Sequence, residues 1–269
     1  MTPEITLVDS LAVSRYGPEA GAPVVLVHGA MDRSAGFRRC ARHLPDLRVT
    51  TYDRRGYAGS IDAGIASTMA ASVADLMLVI DAETSGPISV VGHSLGGLIA
   101  LHAAFSHPDR IVSVGAWESP MPWVDWYVSD AAANARRVVD VANNSPADPG
   151  DAAESFMRTM IGDRLWERLP AAMRTARRAE GATLLADLAM TRSDESRLDF
   201  TQITVPVIAG SGSDSQERFR RSAATLMAEV PGAMGIEVAG STHGVHLTHP
   251  LEFAAMISAV VARAPQPLG

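Results

Sequence analysis

Ile88-Ser89-Val90-Val91-Gly92-His93-Ser94-Leu95-Gly96-Gly97-Leu98-Ile99-Ala100-Leu101 is the stretch whose reading decides the fold. A short apolar run of strand length ends in Gly-x-Ser-x-Gly. A segment of small and apolar residues of helical length follows at once. A serine on such a strand–turn–helix junction projects its hydroxyl from a sharp, strained turn into open space. Gly92 and Gly96 leave room for strand and helix to pass closely. The helix N-terminus points backbone amides at charge developing beside Ser94.

Working outward, the same pattern recurs. Val24–Val27, Val49–Tyr52, Ile111–Ala116, Val205–Ala209 and Gly235–Val238 are further short apolar runs, of the kind a sheet buried on both faces needs. Thr68–Asp81, Leu95–Ser106 and Leu251–Ala262 carry helical patterns between or after them. Strands alternating with helices predict an α/β fold with a parallel sheet and right-handed crossovers. From Pro120 to Phe200 no strand pattern interrupts a series of helical ones: Asp125–Asn143, Asp151–Ile161, Asp163–Ala179 and Ala182–Met190. A turn at Ser145–Gly150 separates the first two. The organisation expected is a core domain of residues 1–119 and 201–269 with an all-helical cap, residues 120–200, inserted in it. The tail from Ala264 to Gly269 is expected to fray.

The bulk properties set limits. The chain has 269 residues and a formal charge of −7, which argues against nucleic acid or an anionic membrane as partner. No apolar run is long enough to span a bilayer. The N-terminal residues lack the basic and apolar regions of a signal peptide. Cys40 is the only cysteine, which fits a reducing cytoplasm and a small buried side chain. His243, His246 and His249 recur at three-residue intervals without the cysteine or acidic pattern of a zinc site, so neither metal nor cofactor is expected.

With these motifs in order, the chain resembles the α/β-hydrolase family. His28-Gly29-Ala30-Met31 follows an early strand, like the family's His-Gly loop. Asp53-Arg54-Arg55-Gly56-Tyr57-Ala58-Gly59-Ser60 looks like its Asp-x-Arg-Gly-x-Gly-x-Ser turn. Gly92–Gly97 is similar to its nucleophile elbow, and Gly240-Ser241-Thr242-His243 precedes the last helix. The resemblance implies a mostly parallel central sheet flanked by helices. It also implies Ser94 as nucleophile, His243 as base, and the amides of Ala30 and Leu95 as oxyanion hole. His246 and His249 are the rivals of His243. The acid is expected at Asp214, in the loop after the strand that follows the cap. Glu118, at the end of the preceding strand, is the alternative.

The expected activity is cofactor-free serine hydrolysis of a small or medium ester, thioester or lactone. Carbon–carbon bond hydrolysis, lyase chemistry or acyl transfer are alternatives on the same residues. A ligand-binding receptor or pseudoenzyme keeping the fold is the alternative from another class. The substrate is expected to be a partly apolar small molecule. Met31, Trp123, Trp126 and Tyr127 are candidate lining residues, the aromatic three serving equally as anchors of the cap on the core. Arg136, Arg137, Arg174, Arg177 and Arg178 read as solvated helix faces rather than an anion site.

Overall fold

The computed structural model describes residues 3–127 and 148–264. Among these, the strands are β1 (Glu4–Val8), β2 (Leu11–Tyr16), β3 (Ala22–Val27), β4 (Leu47–Tyr52), β5 (Ile88–His93), β6 (Ile111–Trp117), β7 (Val207–Gly212) and β8 (Met234–Val238). They form one sheet in the order β1-β2-β4-β3-β5-β6-β7-β8. The pairs from β4 through β8 are parallel, and β2 pairs antiparallel with both β1 and β4.

Alternation along each central strand feeds two apolar layers. Val25, Val27, Ile88 and Val90 pack on one face, with α2 (Met69–Glu83) and α3 (Leu95–Ser106) over them. Val24, Leu26 and Val91 face Phe37, Phe253 and Ile257, the last two on a C-terminal helix, Pro250–Ala262. All six residues of β5 are buried, which is why that strand reads as a continuous apolar run. Each such fully buried Val or Leu contributes about 1.5–3 kcal/mol. Thr68 starts α2 by accepting a hydrogen bond from the Ala71 amide.

The antiparallel pair β1 and β2 departs from the expected order, which began at β3. Ile5 and Leu7 of β1 are 66% and 71% exposed, so the apolar alternation there marks no core face. Asp9 and Ser10, both at positive φ, turn the chain between the two strands.

Between β6 and β7 the described residues form helices: α4 (Pro149–Ile161), α5 (Asp163–Arg168), α6 (Ala171–Ala179) and α7 (Gly181–Arg192). The helix expected over Asp125–Asn143 lies, beyond Tyr127, outside the described residues, as do Arg136, Arg137 and the tail beyond Ala264. Pro149 opens α4 rather than lying in a turn, with Asp148 accepting from the Gly150 amide as its N-cap. The single helix expected over Asp163–Ala179 is two. Pro170 forces Leu169 into an extended conformation, φ −64° and ψ 140°, and the chain restarts as α6.

Buried polar contacts fasten these helices to the core. Arg54 donates to both carboxylate oxygens of Asp187 at 2.6 and 3.1 Å, and Tyr57 donates to the same carboxylate at 2.7 Å. Glu180 accepts from Arg33 and from the Ala58 amide. Met31, Tyr57, Ala153, Met157, Trp166 and Leu184 form an apolar cluster beneath them. No helix of the described residues is long and apolar enough to cross a membrane. The remaining described helices are α1 (Arg38–Ala41) before β4, then α8 (Glu217–Glu229), α9 (Val245–Thr248) and α10 (Pro250–Ala262) around the end of the sheet.

Candidate active site

Ser94 sits between the end of β5 and the start of α3 with φ 54° and ψ −124°. A non-glycine residue held there costs of order 1–3 kcal/mol, a strain that clusters at functional sites. Met31 (φ 54°) and Glu118 (φ 47°) share this unfavourable region. The turn is possible because its neighbours lack side chains. A Cβ on Gly92 would lie 2.1 Å from the Gly96 carbonyl oxygen, and one on Gly96 2.1 Å from that of Val27. The Ser94 amide donates to the Trp117 carbonyl at 2.7 Å, tying the elbow to β6.

The loop carrying Ala30 lies against the elbow. A Cβ on Gly29 would stand 2.9 Å from Ser94 Cβ. His28 braces this loop: the Arg54 amide donates to His28 Nε2 at 2.8 Å, which leaves the proton on Nδ1 to donate to the Gly29 carbonyl at 2.7 Å. Burial, reinforced by the Arg54 charge, pushes the His28 pKa down to about 4, so the ring is neutral. Leu95 is the first residue of α3 and Ala30 the third of this loop.

His243, on the loop between β8 and α9, is held by its backbone. His93 Nε2 and Trp117 Nε1 donate to its carbonyl at 2.8 and 3.2 Å. Both donors lie at the ends of strands adjoining the elbow. Its ring packs 4.7 Å from that of His93 and stacks on Phe219 at 4.1 Å and 16°. The His243 Nδ1 donates to Glu118 Oε2 at 2.7 Å. The other Glu118 oxygen accepts from the Gly212 amide at 2.8 Å. The Glu118 side chain is wholly buried and that of His243 14% exposed.

Burial alone would raise the Glu118 pKa, but the hydrogen bond and charge of His243, with the Gly212 amide, outweigh it and hold the carboxyl below its usual range. Burial holds His243 below the ordinary imidazole value, against the pull of Glu118 and with His93 and Arg218 acting in the same direction as burial. An ionised Glu118 only accepts, so the neutral ring carries its proton on Nδ1 and leaves the Nε2 lone pair free.

The structure brings Glu118, the alternative, to His243, and does not bring Asp214. The Asp214 amide donates to the Ser241 carbonyl at 3.0 Å, and the Ser213 amide to that of Val238 at 3.1 Å. Those bonds sew the loop to the end of β8 and leave the Asp214 carboxylate exposed, where among the described residues it accepts from Ser213 Oγ at 2.9 Å. It does not cap α8 either, whose N-cap is Gln216.

The rivals of His243 have other contacts. His249 Nδ1 bonds Thr248 Oγ1. The His246 Nε2 lies 3.0 Å from Asp32 Oδ2, which is also 3.5 Å from His93 Nδ1. Asp32, His93 and His246 are the described residues grouped closely enough to hold a metal ion, their donor atoms lying within 4.8 Å of one another. That donor set is one a divalent transition metal accepts. Cys40, buried beside them, donates to the His246 carbonyl, and burial raises its thiol to about 12, out of the range of a nucleophile.

Of the candidate lining residues, Met31 is buried in the cluster beneath the inserted helices and its carbonyl accepts from Arg177. Trp123 packs 6.4 Å from the Phe200 ring and Trp126 5.9 Å from Tyr127. Tyr127 meets Phe219 edge-on at 6.5 Å. Phe219 was invisible as a site residue, since its sequence neighbourhood, Gln216-Glu217-Arg218-Phe219, reads only as the first turn of an amphipathic helix. The sequence signal for Trp117 was its place one residue before Glu118.

The profile of the alpha/beta hydrolase family matches residues 24–256. The lipase LipV of Mycobacterium tuberculosis is 33% identical over 148 residues, a stretch taking in 54% of each chain. The chain thus spans about half the length of this curated relative. Pimeloyl-[acyl-carrier protein] methyl ester esterase of Yersinia enterocolitica is 23% identical over 254 residues, covering 89% of this chain and 93% of that one. The solved enol-lactonase from Burkholderia xenovorans LB400 superposes with a TM-score of 0.72 at 19% identity, over 96% of this chain and 100% of that one, a likeness of fold. From the elbow, the ordered strands and the family profile together, the chain is a member of the alpha/beta hydrolase family.

Proposed function

We propose that this protein hydrolyses a small or medium carboxylic ester, thioester or lactone through an acyl-enzyme on Ser94, with His243 as general base and Glu118 as the acid that orients it. His243 Nε2 takes the Ser94 proton as Oγ attacks the carbonyl carbon. The amides of Ala30 and Leu95 receive the oxyanion, each such donor being worth about 3 kcal/mol in typical cases. The imidazolium, steadied by Glu118, returns its proton to the leaving oxygen or sulfur. Water, deprotonated by the same nitrogen, then releases the acid and restores Ser94.

The observation that carries the reading is the 2.7 Å bond from His243 Nδ1 to the buried Glu118 carboxylate, set beside a serine at left-handed φ on a strand–helix turn. The test is turnover of short p-nitrophenyl esters together with labelling by a fluorophosphonate. The wild type is expected to turn over and to carry the label on Ser94. Ser94→Ala is expected to lose roughly four to six orders of magnitude and all label. Label on another serine of an active enzyme overturns the assignment.

A further inference from the structure

Arg218 is the second residue of α8, next to the Phe219 that stacks on His243. Its guanidinium carbon lies 4.7 Å from the Phe219 ring and 5.8 Å from that of Tyr127. Among the described residues its guanidinium makes no ion pair and no hydrogen bond, and its Nε is shielded from solvent without an acceptor. Among the described residues, the acids of the neighbouring elements are engaged or averted. Glu217 pairs with Arg220, Glu118 with His243, and Asp214 faces outward beside Ser213.

Among the described residues only the two ring contacts reward this placement. A cation in the first turn of a helix opposes the helix dipole. A buried N–H without an acceptor is costly. The basic residues of the inserted helices are spent differently: Arg174 pairs with Glu167, Arg177 with Glu180, and Arg178 with Asp148, Asp151 and Glu154. Among the described residues Arg218 has no carboxylate partner, and its charge is felt at His243, where it adds to the lowering by burial, and at Tyr127, where it opposes the raising by burial.

Resting on the serine-hydrolase reading, we propose that Arg218 is a specificity residue for a substrate carrying a free carboxylate, the half-ester of a dicarboxylic acid or its lactone counterpart. The Phe219 and Tyr127 rings hold the guanidinium by cation–π contact, which uses none of its N–H donors. A planar fork matches a carboxylate with two parallel hydrogen bonds. One guanidinium answers one negative charge. The flanking Phe219 and Tyr127 rings suit the methylene chain between that carboxylate and the scissile carbonyl.

The test compares p-nitrophenyl hemiglutarate with p-nitrophenyl pentanoate, esters of the same chain length that differ in a terminal carboxylate. Wild-type kcat/KM is expected to favour the hemiglutarate. In Arg218→Gln the ratio of the two kcat/KM values is expected to fall about tenfold to a hundredfold, chiefly through KM for the anionic ester. Arg218→Lys should recover part of it. Free glutarate should compete with the hemiglutarate in the wild type and lose that effect in Arg218→Gln. A wild type that turns over the pentanoate through Ser94 with a ratio near one overturns the carboxylate assignment and leaves the hydrolase reading standing. An equal loss for both esters in Arg218→Gln, with the ratio unchanged, assigns Arg218 a structural role and overturns it as well. Failure of both esters and of fluorophosphonate labelling overturns the hydrolase reading itself.

Discussion

An imidazole base in a nearly dry site needs a carboxylate within hydrogen-bond reach of the nitrogen remote from the nucleophile, or its proton sits on the wrong atom half the time. Glu118 is wholly buried at 2.7 Å from His243 Nδ1. Asp214 is exposed and bonded to its own neighbour. Glu118→Gln is therefore expected to lower turnover by roughly four orders of magnitude with the fold retained, and Asp214→Asn to stay close to wild type. Steady-state rates with circular dichroism on each variant check this, and an inactive Asp214→Asn with a healthy Glu118→Gln reverses the assignment. The same geometry sets the pH profile. In the proposed mechanism only neutral His243 accepts the Ser94 proton, and burial places its pKa below 6.5. The acid limb of kcat/KM is expected to have its midpoint below pH 6.5. Ser94 and His243 stand out in the sequence because the elbow and the terminal Gly-x-x-His are local patterns. The identity of the carboxylate that bonds His243 does not. It turns on a loop held to the carbonyls of Val238 and Ser241, contacts made 25 or more residues away that no local pattern encodes. Arg218 and Phe219 were illegible for a similar reason, since their meaning comes from the ring they adjoin.

The central parallel strands announced themselves. β3 to β7 are short apolar runs because each must satisfy two packed layers, and α3 was read to the residue, Leu95–Ser106, from its small and apolar composition. β1 escaped because it is an edge strand whose apolar side chains face solvent. The break at Pro170 carried a plain signal, a proline within a helical pattern, that outweighs the apolar periodicity around it. The turn Asp53–Ser60 was legible as a motif, and the structure gives it a mechanical task. Arg54 and Tyr57 grip Asp187 of α7, while Asp53 accepts from the amides of Ser34 and Gly59. Removing one partner of a buried pair leaves the other charge unpaired. Asp187→Ala is expected to cost about 3–5 kcal/mol in urea unfolding. Exchanging both, Arg54→Met with Asp187→Leu, should recover much of that loss, since the surrounding cluster is apolar. A double variant no better than Asp187→Ala would mean that Tyr57 and the turn geometry, rather than charge, set the cost.

For the whole molecule, the buried histidines make folding stability depend on pH in a definite window. His28 has no exposure and its two ring nitrogens are committed, one accepting from the Arg54 amide and one donating to the Gly29 carbonyl. A second ring proton would break the first of these bonds beside the Arg54 charge. Its folded pKa of about 4 lies below the ordinary 6.5 of an unfolded chain. Between those values the unfolded state binds a proton that the folded state refuses, so stability falls as pH falls through the window. The integrated loss from this one group is of order 3 kcal/mol. His102 and His243 are lowered as well and act in the same sense. Carboxylates with depressed values, Asp32 and Glu118 among them, begin to lose their contribution only as pH approaches their ordinary values near 4, so the interval from pH 7 to about 5.5 isolates the imidazoles. Urea midpoints across that interval are expected to fall steadily. In His28→Gln, whose side-chain oxygen can accept from the Arg54 amide without titrating, the slope should flatten even if the midpoint at pH 7 drops. A slope identical in both proteins would show that the His28 ring takes up its proton without opening the loop that carries Ala30.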